Sequence, residues 1–309
     1  MFHYLIILLD DTSTSFCHQN NPYIKRNLIP INILREAFVF ALKANMNIQL
    51  VYPEYELPNE YKDAIFELDH SSIAPSELTF DADVVVANSV NTIIDNTQAN
   101  VIVRDSFKNI VSSADVIKAM LVKTGSISIC INDIPEVNNS ELLNYKTFLD
   151  ELKTFLASSF INGKPLQLTN ITNRLTLAKM NNCNAGWRAI TLAPNGKFYI
   201  CPSFFYNNKN ENVGDLFKGI DIKNQYLFDI KHAPICSSCD SYQCKRCIWL
   251  NKVLTLEVNT PSHQQCVLSH LERNASMELL AEIREHGEFL KGISIQPVKY
   301  LDPIENINK

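Results

Sequence analysis

Cysteine spacing constrains this chain more than any other feature of its sequence. Seven of its nine cysteines lie between Cys183 and Cys266, ordered Cys183-x17-Cys201, then Cys236-x2-Cys239-x4-Cys244-x2-Cys247, then Cys266 alone. Thiolates are soft ligands that select zinc, copper(I) or iron–sulfur clusters. Two Cys-x2-Cys pairs four residues apart aim four sulfurs at one centre only where the loop folds around a metal. One tetrahedral zinc or one cubane takes four ligands. Seven cysteines therefore exceed one site and fall one short of two.

The alternative use of cysteine, a disulfide framework, depends on the compartment. Residues 4–9 are apolar but short, lack a basic leader and run straight into Asp10-Asp11, so neither a signal peptide nor a membrane span is expected. A cytoplasmic location is the expectation, and there thiols are kept reduced, which favours metal over disulfide. The net charge of −5 argues against broad binding to nucleic acid or an anionic membrane. At 309 residues and 46% hydrophobic content, the chain has room for two domains with ordinary cores.

The first 160 or so residues alternate β-rich runs with helical patterns, the signature of βα units and a mainly parallel sheet. Strands are expected at residues 4–9, 48–52, 84–87, 101–103 and 126–131. Helices are expected at 32–44, 107–122 and 141–160, with a short one at 61–68 between prolines. An incomplete α/β barrel and an open α/β sheet both fit this order. The turn-like Asn162-Gly163-Lys164-Pro165 suggests a boundary, giving an α/β domain over 1–164 and a cysteine-rich domain over 165–309. In the second part, a helix is expected before Cys183. A hairpin over 188–200 is expected to turn at Asn195-Gly196 in type I′ geometry, and a final helix over 262–290.

The run Cys183-x12-Gly196-x4-Cys201, the four-cysteine cluster and the last Cys266 resemble the SPASM domain. This is the auxiliary-cluster domain of many radical S-adenosylmethionine peptide-modifying enzymes. The usual central spacing there is Cys-x2-Cys-x5-Cys-x3-Cys, and here each of the last two gaps is one residue shorter. The resemblance implies two [4Fe–4S] clusters. Cys183, Cys201 and Cys247 would serve the first, and Cys236, Cys239, Cys244 and Cys266 the second. The incomplete site is then the first, whose open iron would accept a substrate thiolate, a side chain or water. Closed zinc sites stapling a loop-rich domain are the competing reading of the same residues.

Radical enzymes of that kind carry Cys-x3-Cys-x2-Cys after the first strand, whereas residues 10–18 of this chain hold one cysteine, Cys17. One thiolate cannot hold the cluster that cleaves S-adenosylmethionine. Nor is there a Gly-Gly-Glu-like segment after the second strand, where Tyr52-Pro53-Glu54 stands instead. Both absences speak against S-adenosylmethionine as a cofactor. The whole chain, including residues 8–12 and Cys244-Lys245-Arg246-Cys247, looks like the CXXX-repeat peptide maturase family. That likeness implies maturation of a ribosomally made, cysteine-containing precursor peptide, alone or beside a separate modifying enzyme. The different-class alternative is a noncatalytic, metal-stabilised peptide-binding scaffold.

Other residues attract a functional reading and a plainer one. Cys17, with His18 beside it, lies beyond a strand end where α/β proteins place function, yet a lone thiol there more often is structural. Asp10 and Asp11 suit a metal or an amine, but such pairs more often cap a turn or stay solvated. Cys130 reads as core. His263 and His270 flank Cys266 at helical spacing and offer an eighth ligand, although a solvent-facing histidine is the commoner outcome. His232 and Asp240 rank below them. Lys245 and Arg246 suit an acidic peptide or offset thiolate charge, against a solvated basic loop. Trp187 and Trp249 suit shielding of a cluster or simple packing.

Overall fold

Two compact units interleave along the chain in the computed structural model, which describes residues 1–78, 80–94 and 100–295. The first unit takes Met1–Ala87 and Asn184–His232, the second Asn88–Cys183 and Ala233–Lys309. Of the 165–309 segment, residues 296–309 lie outside the described part. The turn at Asn162–Pro165 falls inside the second unit.

The first unit opens with β1 (Tyr4–Leu8), α1 (Ile31–Lys43), β2 (Asn47–Val51), α2 (Asn59–Phe66), β3 (His70–Pro75) and β4 (Val84–Ala87). The second contributes β5 (Asn100–Asp105), α3 (Phe107–Val111), α4 (Ala114–Thr124), β6 (Ser126–Ile131), α5 (Asn139–Ile161), β7 (Gln167–Leu168) and α6 (Thr169–Thr172). The chain then returns to the first unit with β8 (Ala189–Leu192), β9 (Phe198–Tyr199), α7 (Pro202–Asn207), β10 (Gly214–Asp215) and β11 (Gly219–Ile220). It ends in the second with α8 (Ile248–Thr255) and α9 (His263–Glu285).

In the first unit β4, β3, β2, β1 and β8 run parallel side by side, and β9 folds back antiparallel on β8. Central β1 is apolar on both faces, with Leu5, Ile7 and Leu8 wholly buried, as a strand covered on both sides requires. In the second unit β5, β6 and β7 are also parallel. The fold is thus mixed α/β with parallel sheet predominating, as the alternating pattern implies.

Several details depart from the sequence reading. Strand β3 falls in the proline-rich stretch and was not anticipated, because Pro75 sits at its last position where it costs no ladder bond. The helix expected over 107–122 is two, α3 and α4, parted at Ser112-Ser113; Ser106 caps α3 by accepting from the Asn109 amide. Only one short α-turn and a 3-10 turn, Asn173–Leu175, occupy the region before Cys183. The β8–β9 turn is not type I′: Asn195 keeps negative φ, while Gly196 takes φ +73° and its amide bonds the Ala193 carbonyl at 2.9 Å. That is a type I turn closed by a left-handed glycine, for which Pro194 supplies the fixed first φ. Helix α5 begins with a full capping box, Asn138 and Glu141 each bonding the other's backbone amide.

Candidate metal centre

All nine cysteines are thiols rather than disulfides. Cys201 stands in the first unit, at the N-cap of α7, and the other six of the array stand in the second. There, α9 supplies the platform. Ser262 caps it by accepting from the Gln265 amide at 3.3 Å, and Cys266 and His270, four residues apart, share one face a turn apart. Half-buried Cys266 and buried His270 therefore point to the same side.

The Cys236–Cys247 loop meets that face. Cys239 Sγ lies 3.6 Å from His270 Nε2, and the Ser241 amide donates to the same sulfur at 3.4 Å. The Arg246 amide donates to Cys244 Sγ, also at 3.4 Å. Burial pushes the Cys236 thiol up to about 12; the Cys244 and Cys239 thiols add to the rise, and the Arg246 guanidinium, hydrogen-bonded to Cys236, opposes it. Cys244 is raised by burial too, and also by Cys239, against a bond from Ser269. Three thiols of the cluster are thus close enough to influence one another. Among the described residues, no three His, Cys, Asp or Glu side chains form a group able to hold a metal ion.

Two anchors fix this loop. Arg273 of α9, 1% exposed, grips Asp240 through Nε at 2.8 Å and Nη2 at 2.6 Å, and Arg174 adds Nε to the Asp240 carbonyl at 2.8 Å. Arg174 also lies over the Tyr242 ring, 4.3 Å from its centroid. Those bonds hold the Asp240 carboxyl below its usual range despite the burial that acts the other way. Asp240 is therefore an anchor of the loop, flanking Cys239. The Asn181 amide bonds the Tyr242 carbonyl at 2.8 Å, tying the segment before exposed Cys183 to the same loop. Cys247 caps α8.

Ser241 Oγ and Trp249 Nε1 are buried without a hydrogen-bond partner, donors of the kind that sulfur ligands accept. Arg246 corrects the solvated-loop reading: it is 2% exposed, at φ +44°, with Nη2 bonded to Asn259 Oδ1, while Lys245 is exposed. His270 likewise is buried where a solvent-facing side chain was expected, whereas His263 is exposed. His232, in the first unit, sits edge-on to Tyr226. Trp187 is half-buried there. Cys130, expected in the core, is half-buried on β6.

The loop after β1 is closed by its own chain. Asp10, wholly buried, accepts from the Thr12 amide and hydroxyl on one oxygen and from the Asn27 amide and Tyr55 hydroxyl on the other. Ser13 Oγ donates to the Val51 carbonyl, the Thr14 amide to Tyr52, and Asn21 bridges the Asp11 and Ser13 carbonyls. Asp11 pairs with Lys209 at 2.7 Å, and the Lys209 ammonium lies 4.1 Å above the Tyr23 ring. Both aspartates are thus buried structural acids; Asp10 does cap its turn, but neither is solvated. Cys17 is half-buried, its amide donating weakly to Ser15 Oγ.

No family model matches the sequence, and no curated protein does either. Solved structures do match the fold. Native anSMEcpe with bound AdoMet and Cp18Cys peptide aligns with TM-score 0.65 at 13% identity, over 92% of this chain and all of that one. Native anSMEcpe with bound AdoMet aligns with TM-score 0.63 at 14% identity, over 91% and 99%. The shared property is the fold.

Proposed function

We propose that this chain takes part in the maturation of a ribosomally made cysteine-repeat peptide, with metal-bound thiolates of the second unit receiving or positioning the precursor. What carries the reading is the loop that sets Cys236, Cys239 and Cys244 beside the buried Arg246 guanidinium, on a fold similar to that of anSMEcpe, solved with bound AdoMet and Cp18Cys peptide. Two [4Fe–4S] clusters suit the seven cysteines, and zinc is the competing occupant. Bound, an iron–sulfur cluster supplies an electron-transfer centre and, where one iron lacks a protein thiolate, a place for a substrate sulfur. Around it this chain's own residues act mechanically: Asp240 and Arg273 hold the loop, and Arg246 offsets thiolate charge.

A second reading, a noncatalytic scaffold or partner of a separate modifying enzyme, is favoured by the loop after β1. It holds one cysteine and spends its polar groups on itself. Anaerobically purified protein, assayed for iron and zinc and mixed with a Cys-x3-repeat peptide under reducing conditions, separates the two. A change in peptide mass or fragmentation supports maturation by this chain. Binding with unchanged mass, with or without S-adenosylmethionine, supports the scaffold, and no binding rejects both.

A further inference from the structure

A pocket of about 470 Å³ opens between α2 and β3, and all of its lining comes from the first unit, between Tyr52 and Asp81. That volume lies within the range of small-molecule sites, about 300–1,000 Å³. Strand register fixes its side. His70 and Ser72 pair with Ile48 and Leu50 and share their face of the sheet, the one that α2 covers, whereas Val51 and Ile73 take the other face. The floor is apolar: Tyr52, Leu57 and Ile65 are 9%, 6% and 5% exposed. Two more aromatic rings line it. Phe80 packs tilted on Tyr52, with ring centroids 4.7 Å apart, and Phe66 of α2 is almost wholly exposed.

The polar groups of the pocket divide sharply. Its donors are spent: Lys62 Nζ donates to Glu56 at 2.9 Å, the Tyr55 hydroxyl to Asp10 at 2.8 Å, and the Ser72 amide and hydroxyl to Asp83 at 2.7 and 2.9 Å. Acceptors are left. His70 Nδ1 bonds the Leu68 carbonyl at 2.9 Å; a carbonyl only accepts, so that nitrogen carries the proton and Nε2 of the neutral ring is an acceptor. The Tyr52 hydroxyl has no hydrogen-bond partner among the described residues. Burial and the Asp83 carboxylate raise its pKa to about 12, so it stays a phenol whose oxygen can accept. Asp81 adds a carboxylate at the exposed rim. Glu56, Asp81 and Asp83 stand against one ammonium, Lys62, a balance that repels carboxylates and phosphates and draws a cation.

We propose that this pocket binds a small arylalkyl ammonium, an aromatic ring joined by a short chain to an amine. The site owes nothing to the cysteines. The ring packs on the apolar floor and against the Tyr52 and Phe80 rings. The ammonium brings the donors that His70 Nε2, the Tyr52 oxygen and Asp81 call for, and aromatic faces attract it as well. A free amine and the N-terminal aromatic residue of a peptide share this chemistry.

The full chain is titrated by calorimetry with tryptamine, with phenylalanyl-glycinamide, and with indole-3-propionate, which keeps the ring and chain of tryptamine but carries the opposite charge. Saturable binding of an ammonium ligand is expected at about millimolar concentration or below. The propionate should bind about tenfold more weakly. Whichever ammonium ligand binds more tightly identifies the source, free amine or peptide terminus. Phe80→Ala, at a position 39% exposed, should lower the affinity about five- to tenfold. Asp81→Asn should narrow the gap between tryptamine and the propionate. No saturable binding of either ammonium ligand, equal binding of the propionate, or unchanged affinity in a folded Phe80→Ala overturns the proposal. If Phe80→Ala does not fold, the charge preference of the unsubstituted chain and of Asp81→Asn decides.

Discussion

Arg273 holds the Asp240 carboxylate with two nitrogens, at 2.8 and 2.6 Å, and in doing so fastens the residue next to Cys239 to the middle of α9. Planar, two-point binding of this kind fixes angle as well as distance. The cysteine loop therefore inherits the rigidity of a 23-residue helix.

Breaking that grip has a definite expected cost. Arg273→Ala leaves Asp240 with Arg174 alone, and loss of one partner from a buried pair commonly costs about 3–5 kcal/mol. Because the Asp240 side chain is 33% exposed, solvent screening lowers the expected loss to about 2 kcal/mol. Urea unfolding of the variant checks it. An unchanged midpoint would mean that the loop is held by other contacts.

Gly186 and Gly163 form a controlled comparison. Both have φ above +70°, but a Cβ on Gly186 would stand 2.7 Å from the Phe228 ring and 3.1 Å from Ile200, while one on Gly163 meets nothing within 4 Å. Gly163→Ala should cost about 1 kcal/mol from backbone strain alone. Gly186→Ala adds a steric clash and should cost about 2–4 kcal/mol. Thermal melts of the two variants give the difference directly.

Cysteine substitutions separate metal from ornament. Cys236→Ala should lower metal content and the unfolding midpoint together, because ligand binding and folding are linked. Cys17→Ala should leave the metal count unchanged, since its loop is held by Asp10 and Asn21. Elemental analysis beside a denaturation curve reads both. Full metal retention in Cys236→Ala would remove that residue from the ligand set.

Acid stability should depend on Asp105. Burial alone would raise its pKa, but bonds from the Val90 amide, Asn109 and the Ser106 amide outweigh it and hold the carboxyl below its usual range. A carboxyl depressed on folding stabilises fully above its unfolded value of about 3.9, and that stability is lost as pH falls through the folded value. Asp105→Asn should accordingly be less stable at neutral pH, with the gap narrowing below about pH 4. Unfolding midpoints measured across that range test it; a constant gap would assign the loss to packing.

The parallel strands were legible because covered strands are written as unbroken apolar runs, such as residues 5–9, and the sequence has few ways to hide them. The long helices were legible from periodicity, and α5 from its Asn138-x2-Glu141 cap. Strand β3 was not, since Pro75 reads as a breaker until its terminal position is known. The cysteine spacing raised the expectation of a metal site, while among the described residues no three His, Cys, Asp or Glu side chains form a group able to hold a metal ion. Arg246 and His270 were not legible as buried, because a charged or titratable residue in a loop or on a helix reveals its burial only when its neighbours in space are known. The same holds for Asp10, whose four donors come from residues 12, 27 and 55.

The parallel pairing of β1 with β8, which sets Tyr4 against Ala189, has a consequence for synthesis. One side of the first strand can be covered as soon as β2 emerges from the ribosome, but the other must wait for residues made much later. At roughly 5–20 residues per second that wait is on the order of ten to forty seconds. Throughout it, a hydrophobic strand edge stands open to pairing with another nascent chain. Yield of this protein should therefore respond to translation rate and chaperone supply before it responds to metal.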